Sequence, residues 1–139
     1  MLLLGGRGTD IGRLRPVEVV RLYERSGILV LDTDTGDAGW GLTVEQAVNK
    51  LKETTVGEIY LDTADFLLIE GLGDYLPALR PYLKKKTGVV YATEKMDLKA
   101  AAEYLQDHHP SGTVENFQKP GEILSFEGGK ILLKKFQEK

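Results

Sequence analysis

The chain has 139 residues, with 18 basic and 21 acidic side chains, two histidines and no cysteine. Its length and its 42% hydrophobic content predict one folded, soluble domain and argue against a disordered chain. The net charge of −3 argues against a general nucleic-acid binder, and the lack of cysteine excludes disulfides and thiolate chemistry. No apolar run is long enough to cross a bilayer, and the run 1–4 meets Gly5 too early for a signal peptide, so we expect a cytoplasmic protein without membrane contact.

The first elements are predicted to be a strand, a helix and a second strand. Residues 2–4 are apolar and form the first strand, which a glycine-rich loop over 5–12 follows. A helix begins near Pro16, because proline is favoured at the first helical position, and it ends at Gly27. The continuous apolar run 28–31 is typical of a strand that is covered on both faces.

The second helix has the clearest signal. Thr43 and Gln46 have the spacing of a capping box, and one apolar stripe follows at Val44, Ala47, Val48 and Leu51. Gly57 ends this helix, and a strand over 59–61 comes next. The segment 64–73 contains the apolar run 66–69, for which a short helix, a further strand and a cover over the sheet edge remain open.

The second half of the chain is predicted to contain two helices, a strand and a hairpin. Asp74 caps the third helix, which Pro81 kinks or ends early. A buried strand covers 89–91, and Asp97 caps a fourth helix that closes at the two histidines before Pro110. The runs 122–126 and 130–136 flank Gly128 and Gly129, and a Gly-Gly pair between two such runs indicates a β-hairpin.

A recurrence every thirty residues suggests the fold. The run ending at Asp32 and Thr33 is repeated by the run ending at Asp62 and Thr63, and more faintly by the run ending at Thr93. Thirty residues is about the length of one strand and one crossover helix. We therefore predict a single α/β domain over 1–139: a three-layer, Rossmann-like, mostly parallel sheet of four or five strands, with βα units in 1–112 and an antiparallel hairpin in 113–139.

Strand-end aspartates form the first candidate site. Parallel strands end at the same edge of a sheet, which would bring Asp32, Asp34 and Asp62 together. Mg²⁺ sites in proteins are commonly built from two or three carboxylates, so these three aspartates are candidate catalytic and metal-ligating residues. The alternative is that they only stabilise turns and helix starts.

A glycine-rich loop forms the second candidate site, on the same edge. Its spacing is G-x-G-x-x-x-G, one residue longer than the dinucleotide-binding pattern, and amides in such a loop can hold a phosphate or a nucleotide. The only tryptophan lies in a glycine-flanked loop beside it and would act as a lid. The predicted ligand-binding residues are Gly6, Arg7, Gly8, Gly12, Asp32, Thr33, Trp40 and Thr63.

Three functions follow from these patterns. The first is binding of a small anionic molecule, phosphate- or nucleotide-like, at the carboxyl edge of the sheet. The second is a Mg²⁺-dependent phosphoryl-transfer or hydrolytic enzyme that uses the aspartates. The third is a non-catalytic interaction domain, with a homodimer through the C-terminal hairpin or the 66–69 segment. No nucleic-acid partner is expected.

Overall fold

The computed structural model describes residues 14–71, 74–93, 95–117 and 121–135. Within these ranges the strands are β1 (Leu14–Pro16), β2 (Val19–Arg25), β3 (Ile28–Thr33), β4 (Ala38–Gly41), β5 (Glu58–Tyr60), β6 (Phe66–Glu70), β7 (Gly88–Ala92), β8 (Glu122–Glu127) and β9 (Lys130–Lys135). The helices are α1 (Val44–Thr54), α2 (Leu76–Leu79) and α3 (Leu98–Asp107), and single 3₁₀ turns cover Leu61–Thr63 and Arg80–Tyr82.

Seven of these strands form one mixed sheet in the order β9-β8-β7-β6-β2-β3-β4, and β1 pairs with β5 in a small separate sheet. The pairs β2–β6, β6–β7 and β7–β8 are parallel, whereas β2–β3, β3–β4 and β8–β9 are antiparallel. The prediction of a three-layer, mostly parallel, Rossmann-like sheet of four or five strands is therefore wrong. The sheet dominates the described structure, and its three helices are short.

The predicted helix after Pro16 is also wrong, because residues 19–25 form β2, with β3 and β6 as its neighbours. Ser26 and Gly27 have φ angles of 53° and 81°, so they make the tight turn of a β-hairpin. Such a turn reverses the chain, whereas a parallel partner needs a crossover of a dozen or more residues. Strand β3 consequently runs antiparallel to β2.

The thirty-residue recurrence does not mark neighbouring parallel strands. Its first copy is β3, near one edge of the main sheet, and its second copy is β5 followed by a 3₁₀ turn, outside that sheet. Its third copy is β7. The strand that fills the centre instead is β6, in the segment that the sequence left open, and Phe66, Leu67, Leu68 and Ile69 are all buried.

Helices α1 and α3 confirm the two predicted N-caps, although the Gln46 side chain accepts from the Leu42 amide and not from that of Thr43. Thr43 accepts a hydrogen bond from the Gln46 amide at 3.1 Å, and Asp97 accepts one from the Ala100 amide at 3.0 Å. The predicted stripe of α1 is buried, as are the residues of α3 that face the sheet, which are Leu98, Ala101, Ala102 and Leu105. The two helices therefore start where the sequence places them.

Of the predictions for the hairpin and for the third helix, the first is confirmed and the second holds in part. The hairpin β8–β9 turns at Gly128 and Gly129, whose φ angles of 59° and 78° favour glycine. The third helix is only four residues long, starts after Tyr75 instead of Asp74, and gives way to a 3₁₀ turn that contains Pro81.

The two faces of the main sheet carry separate cores. Helix α1 packs on the face that holds Val20, Leu22, Leu29 and Leu31. Helix α3 packs on the other face over side chains from β2, β6, β7 and β8, namely Val19, Phe66, Leu68, Val90, Ala92 and Leu124. Helix α3 covers the start of β2 together with β6, β7 and β8, and it leaves the β3–β4 side of this face without a helix among the described residues.

Candidate functional site

A groove of about 490 Å³ lies between the carboxyl end of β3 and the start of α3. It brings together three of the predicted site residues, Asp32, Thr33 and Asp34, with residues that the sequence analysis did not select. Its lining is Arg21, Asp32, Thr33, Asp34, Gly36, Lys95, Met96, Asp97, Leu98 and Lys99.

An ion pair between Arg21 and Asp32 forms the inner wall of the groove. The two residues lie opposite each other on β2 and β3, so their side chains leave the same face of the sheet. Arg21 donates from Nε to Asp32 Oδ1 at 3.0 Å and from Nη2 to Oδ2 at 2.6 Å, a bidentate geometry. It also donates from Nη1 to the Met96 carbonyl oxygen at 2.8 Å, which holds the segment before α3 against the sheet. Both oxygens of Asp32 are thus occupied by the protein itself.

Asp34 stabilises the backbone where β2 begins. Its Oδ1 accepts hydrogen bonds from the amides of Glu18 at 2.8 Å and Val19 at 2.9 Å. Thr33 is buried, and its hydroxyl lies 2.5 Å from that of Thr35 within the β3–β4 turn. These contacts fix the turn, which for Asp34 agrees with the alternative that the aspartates stabilise turns.

The outer wall of the groove is cationic. Lys95 and Lys99 are exposed, and Lys95 Nζ lies 5.5 Å from the centre of the Tyr23 ring. Among the residues that the structure describes, no carboxylate lies within ion-pair distance of either lysine. The third acid of the groove, Asp97, caps α3. The carboxylates of this groove therefore have internal partners, whereas its two lysines do not.

Asp62 and Thr63 lie outside this groove. Asp62 lines a different cavity of about 470 Å³, beside Tyr60 and Tyr82. The hydrogen bond that Tyr60 donates to Glu58 at 2.8 Å raises the pKa of that phenol. Thr63 Oγ1 accepts from the Val17 amide at 2.8 Å and lies 2.7 Å from the Tyr60 carbonyl oxygen, so it ties β5 to the chain entering β2.

The separation of the aspartates bears on the metal hypothesis. Within residues 14–71, 74–93, 95–117 and 121–135, no group of three or more histidine, aspartate or glutamate side chains is placed to hold a metal ion.

Trp40, the predicted lid, lies on β4 outside the groove, 48% exposed, with Lys50 Nζ at 5.3 Å from its ring. Gly6, Arg7, Gly8 and Gly12 lie outside the described residues.

Sequence reasoning missed the cations of the groove. Arg21 was hidden in the predicted helix; a strand interpretation of 19–25 would have placed it on one face with Val19 and Tyr23. Lys95 and Lys99 lie two residues before and after Asp97, the correctly predicted N-cap of α3. Two lysines beside a helix amino terminus were therefore the signal that could have identified these cations.

Comparisons of the chain with protein-family models, with curated proteins and with solved structures found no match. No helix in the part of the chain that the structure describes has the length and hydrophobicity to cross a membrane. Inferences about function consequently rest on the chemistry of the described surfaces.

Proposed function

We propose that the groove between β3 and α3 binds a small anion, such as the phosphate group of a metabolite, and that the protein acts as a ligand-binding domain. The observation that carries the proposal is the contrast between its charges. Lys95 and Lys99 have no acidic partner in the described structure, whereas Asp32 bonds Arg21 through both oxygens.

The start of α3 adds to this preference. The first amides of a helix have no partner within the helix, and the helix dipole places partial positive charge there. Asp97 satisfies the Ala100 amide, and Leu98 and Lys99, the first two residues of α3, line the groove. Backbone donors beside two ammonium groups are suited to phosphate oxygens.

A Mg²⁺-dependent enzyme has less support. Asp32 and Asp34 would have to give up hydrogen bonds to the protein in order to bind a metal, and Asp62 lines another cavity.

We also propose that the protein is cytoplasmic, because a chain without cysteine suits a reducing compartment.

The test is thermal unfolding with inorganic phosphate at constant ionic strength, using chloride as the reference anion. Ligand at ten times its Kd stabilises the folded state by about 1.4 kcal/mol, which is a measurable rise in Tm. We expect Lys99→Gln to abolish the phosphate-specific rise. Lys85→Gln, which removes an exposed lysine outside the groove, is the matched control and should retain it.

Two results would contradict the proposal. One is an equal rise in Tm with chloride and phosphate, which would show only a general salt effect. The other is an unchanged phosphate response in both Lys95→Gln and Lys99→Gln.

A further inference from the structure

One side of the strands β2, β3 and β4 forms a surface that we call the tryptophan face. Residues directly opposite in an antiparallel pair share a face, and the register pairs Arg25 with Ile28, Tyr23 with Val30, and Val30 with Trp40. The tryptophan face consists of these five residues. It lies on the same side of the sheet as α3, on β3, β4 and the carboxyl-terminal part of β2.

The centre of the tryptophan face is apolar and open. Ile28 is 36% exposed, Trp40 is 48% exposed, and Val30 is only half-buried. Single exposed apolar residues are ordinary on protein surfaces, whereas these three adjoin one another on neighbouring strands. Tryptophan and arginine, which are both exposed on this face, are enriched in protein interfaces, whereas Tyr23 is buried beneath them at 7% exposure.

The border of the tryptophan face is positively charged, in a chain of net charge −3. The Arg25 guanidinium lies 5.3 Å and Lys95 Nζ lies 5.5 Å from the Tyr23 ring, and neither has a carboxylate partner among the described residues. Two acids lie on this side of β3 and β6: Asp32 is bonded to Arg21, and Glu70 is half-buried, with Oε2 shielded from solvent and without a hydrogen-bond partner. A partner would therefore meet the exposed cations Arg25 and Lys95 beside an apolar centre.

The edge of β4 is partly covered by helix α1. The hydrogen bond from the Thr33 amide to the Asp37 carbonyl oxygen sets the β3–β4 pairing, so Ala38, Trp40 and Leu42 direct their backbone groups outward. Helix α1 occupies two of these groups. Thr54 Oγ1 donates to the Ala38 carbonyl oxygen at 2.9 Å, and Gln46 Oε1 accepts from the Leu42 amide at 2.8 Å. These contacts occupy the two ends of the edge, so a partner that lies across the face avoids competing with α1 for them.

The size of the tryptophan face favours a short segment over a second copy of the chain. Three strands about 4.8 Å apart and a few residues long cover roughly 250 Å². A stable protein dimer buries about 800 Å² on each partner.

We infer that the tryptophan face docks an acidic segment of a partner protein. An apolar side chain of that segment packs on Ile28, Val30 and Trp40, and its carboxylates face Arg25 and Lys95. This surface adjoins the proposed anion groove and shares Lys95 with it, but the inference does not depend on anion binding there.

Fluorescence of the protein tests the inference directly, because Trp40 is the only tryptophan. The probe is a synthetic seven-residue peptide of alternating glutamate and leucine, and its partner probe has lysine in place of glutamate. We expect the acidic peptide to cause a saturable blue shift whose Kd rises about tenfold on going from 50 to 200 mM salt, and the basic peptide to cause none.

Variants separate this surface from the groove. Arg25→Gln should weaken peptide binding about tenfold, and Ile28→Ser should weaken it similarly, with circular dichroism confirming that each variant is folded. Lys99→Gln and Lys85→Gln should bind the peptide as the wild type does, so a failure of the anion proposal would leave this result unaffected.

Several outcomes would overturn the inference. These are equal shifts with the acidic and basic peptides, wild-type affinity in Arg25→Gln, and a blue shift produced by oligothymidylate, which would make the partner a nucleic acid. A shift that depends on the concentration of the protein alone, with a dimer in light scattering, would make the occupant a second copy of the chain.

Discussion

Replacing Asp32 with asparagine should destabilise the protein by about 3 kcal/mol, because it leaves a buried cation without its counter-charge. Arg21 is 5% exposed, and its Nε and Nη2 each donate a hydrogen bond to one carboxylate oxygen of Asp32. Asparagine keeps one acceptor but no charge. The opposite variant, Arg21→Met, should cost less, since the Asp32 side chain is 19% exposed and can be hydrated after Arg21 is removed.

Urea unfolding followed by circular dichroism measures these costs, provided that the m value stays constant across the variants. Asp62→Asn is the control, because that aspartate is exposed, and it should change the free energy of unfolding by less than about 0.5 kcal/mol. The double variant Arg21→Met/Asp32→Leu should recover to within about 1 kcal/mol of the wild type. A cost below about 1 kcal/mol for Asp32→Asn, or a double variant as unstable as the sum of the single variants, would refute the reasoning.

Two further predictions concern packing and pH. Gly39→Ala should destabilise the protein by about 3 kcal/mol in the same urea assay. The added Cβ would overlap the Ala47 carbonyl oxygen and the Leu51 backbone, and relieving that overlap requires α1 to shift away from the sheet. A cost near zero would mean that α1 shifts freely. Burial, and then the hydrogen bond to Glu24 at 3.1 Å, raise the pKa of Tyr75, so its contribution to stability is complete below the pKa of the unfolded state and is lost as pH rises through the folded pKa. Ultraviolet titration should show Glu24→Gln lowering the pKa of Tyr75 only part of the way, because burial is the larger cause; a full return to the ordinary value would contradict that order.

Elements whose signals are local could be predicted from the sequence. Thr43 and Asp97 cap helices through hydrogen bonds to residues three positions ahead, so the neighbouring sequence contains everything that the cap requires. Gly128 and Gly129 likewise encode their own turn, since both have positive φ angles.

The arrangement of the central sheet could not be predicted in the same way. Val19, Leu22 and Tyr23 fit one face of a helix as well as parts of a strand, and pairing with β3 and β6 decides in favour of the strand. The Ser26-Gly27 pair was the overlooked signal, because a turn dipeptide between two β-prone runs indicates a hairpin. Missing this hairpin reversed the direction assigned to β3.

The candidate site depended on that error. The sequence placed Asp32 at a sheet rim, where a ligand or metal would meet it, but the hairpin places Arg21 directly opposite. An ion pair between residues eleven positions apart is visible only when their strands are known to be antiparallel. The lysines of the groove depend further on how α3 crosses the sheet, which no local pattern encodes.

The position of β2 has a consequence for the order of folding events. On one side it pairs with β3 through a two-residue turn, and β4 and α1 follow directly along the chain. On its other side it pairs with β6, where Val19 lies opposite Phe66. The chain between these two residues is long and includes β3, β4, α1 and β5. Closing a long loop costs more chain entropy than closing a short one, and pairings of long sequence separation form slowly. We therefore expect the segment from β2 to α1 to form first and the parallel pairing of β2 with β6 to form later.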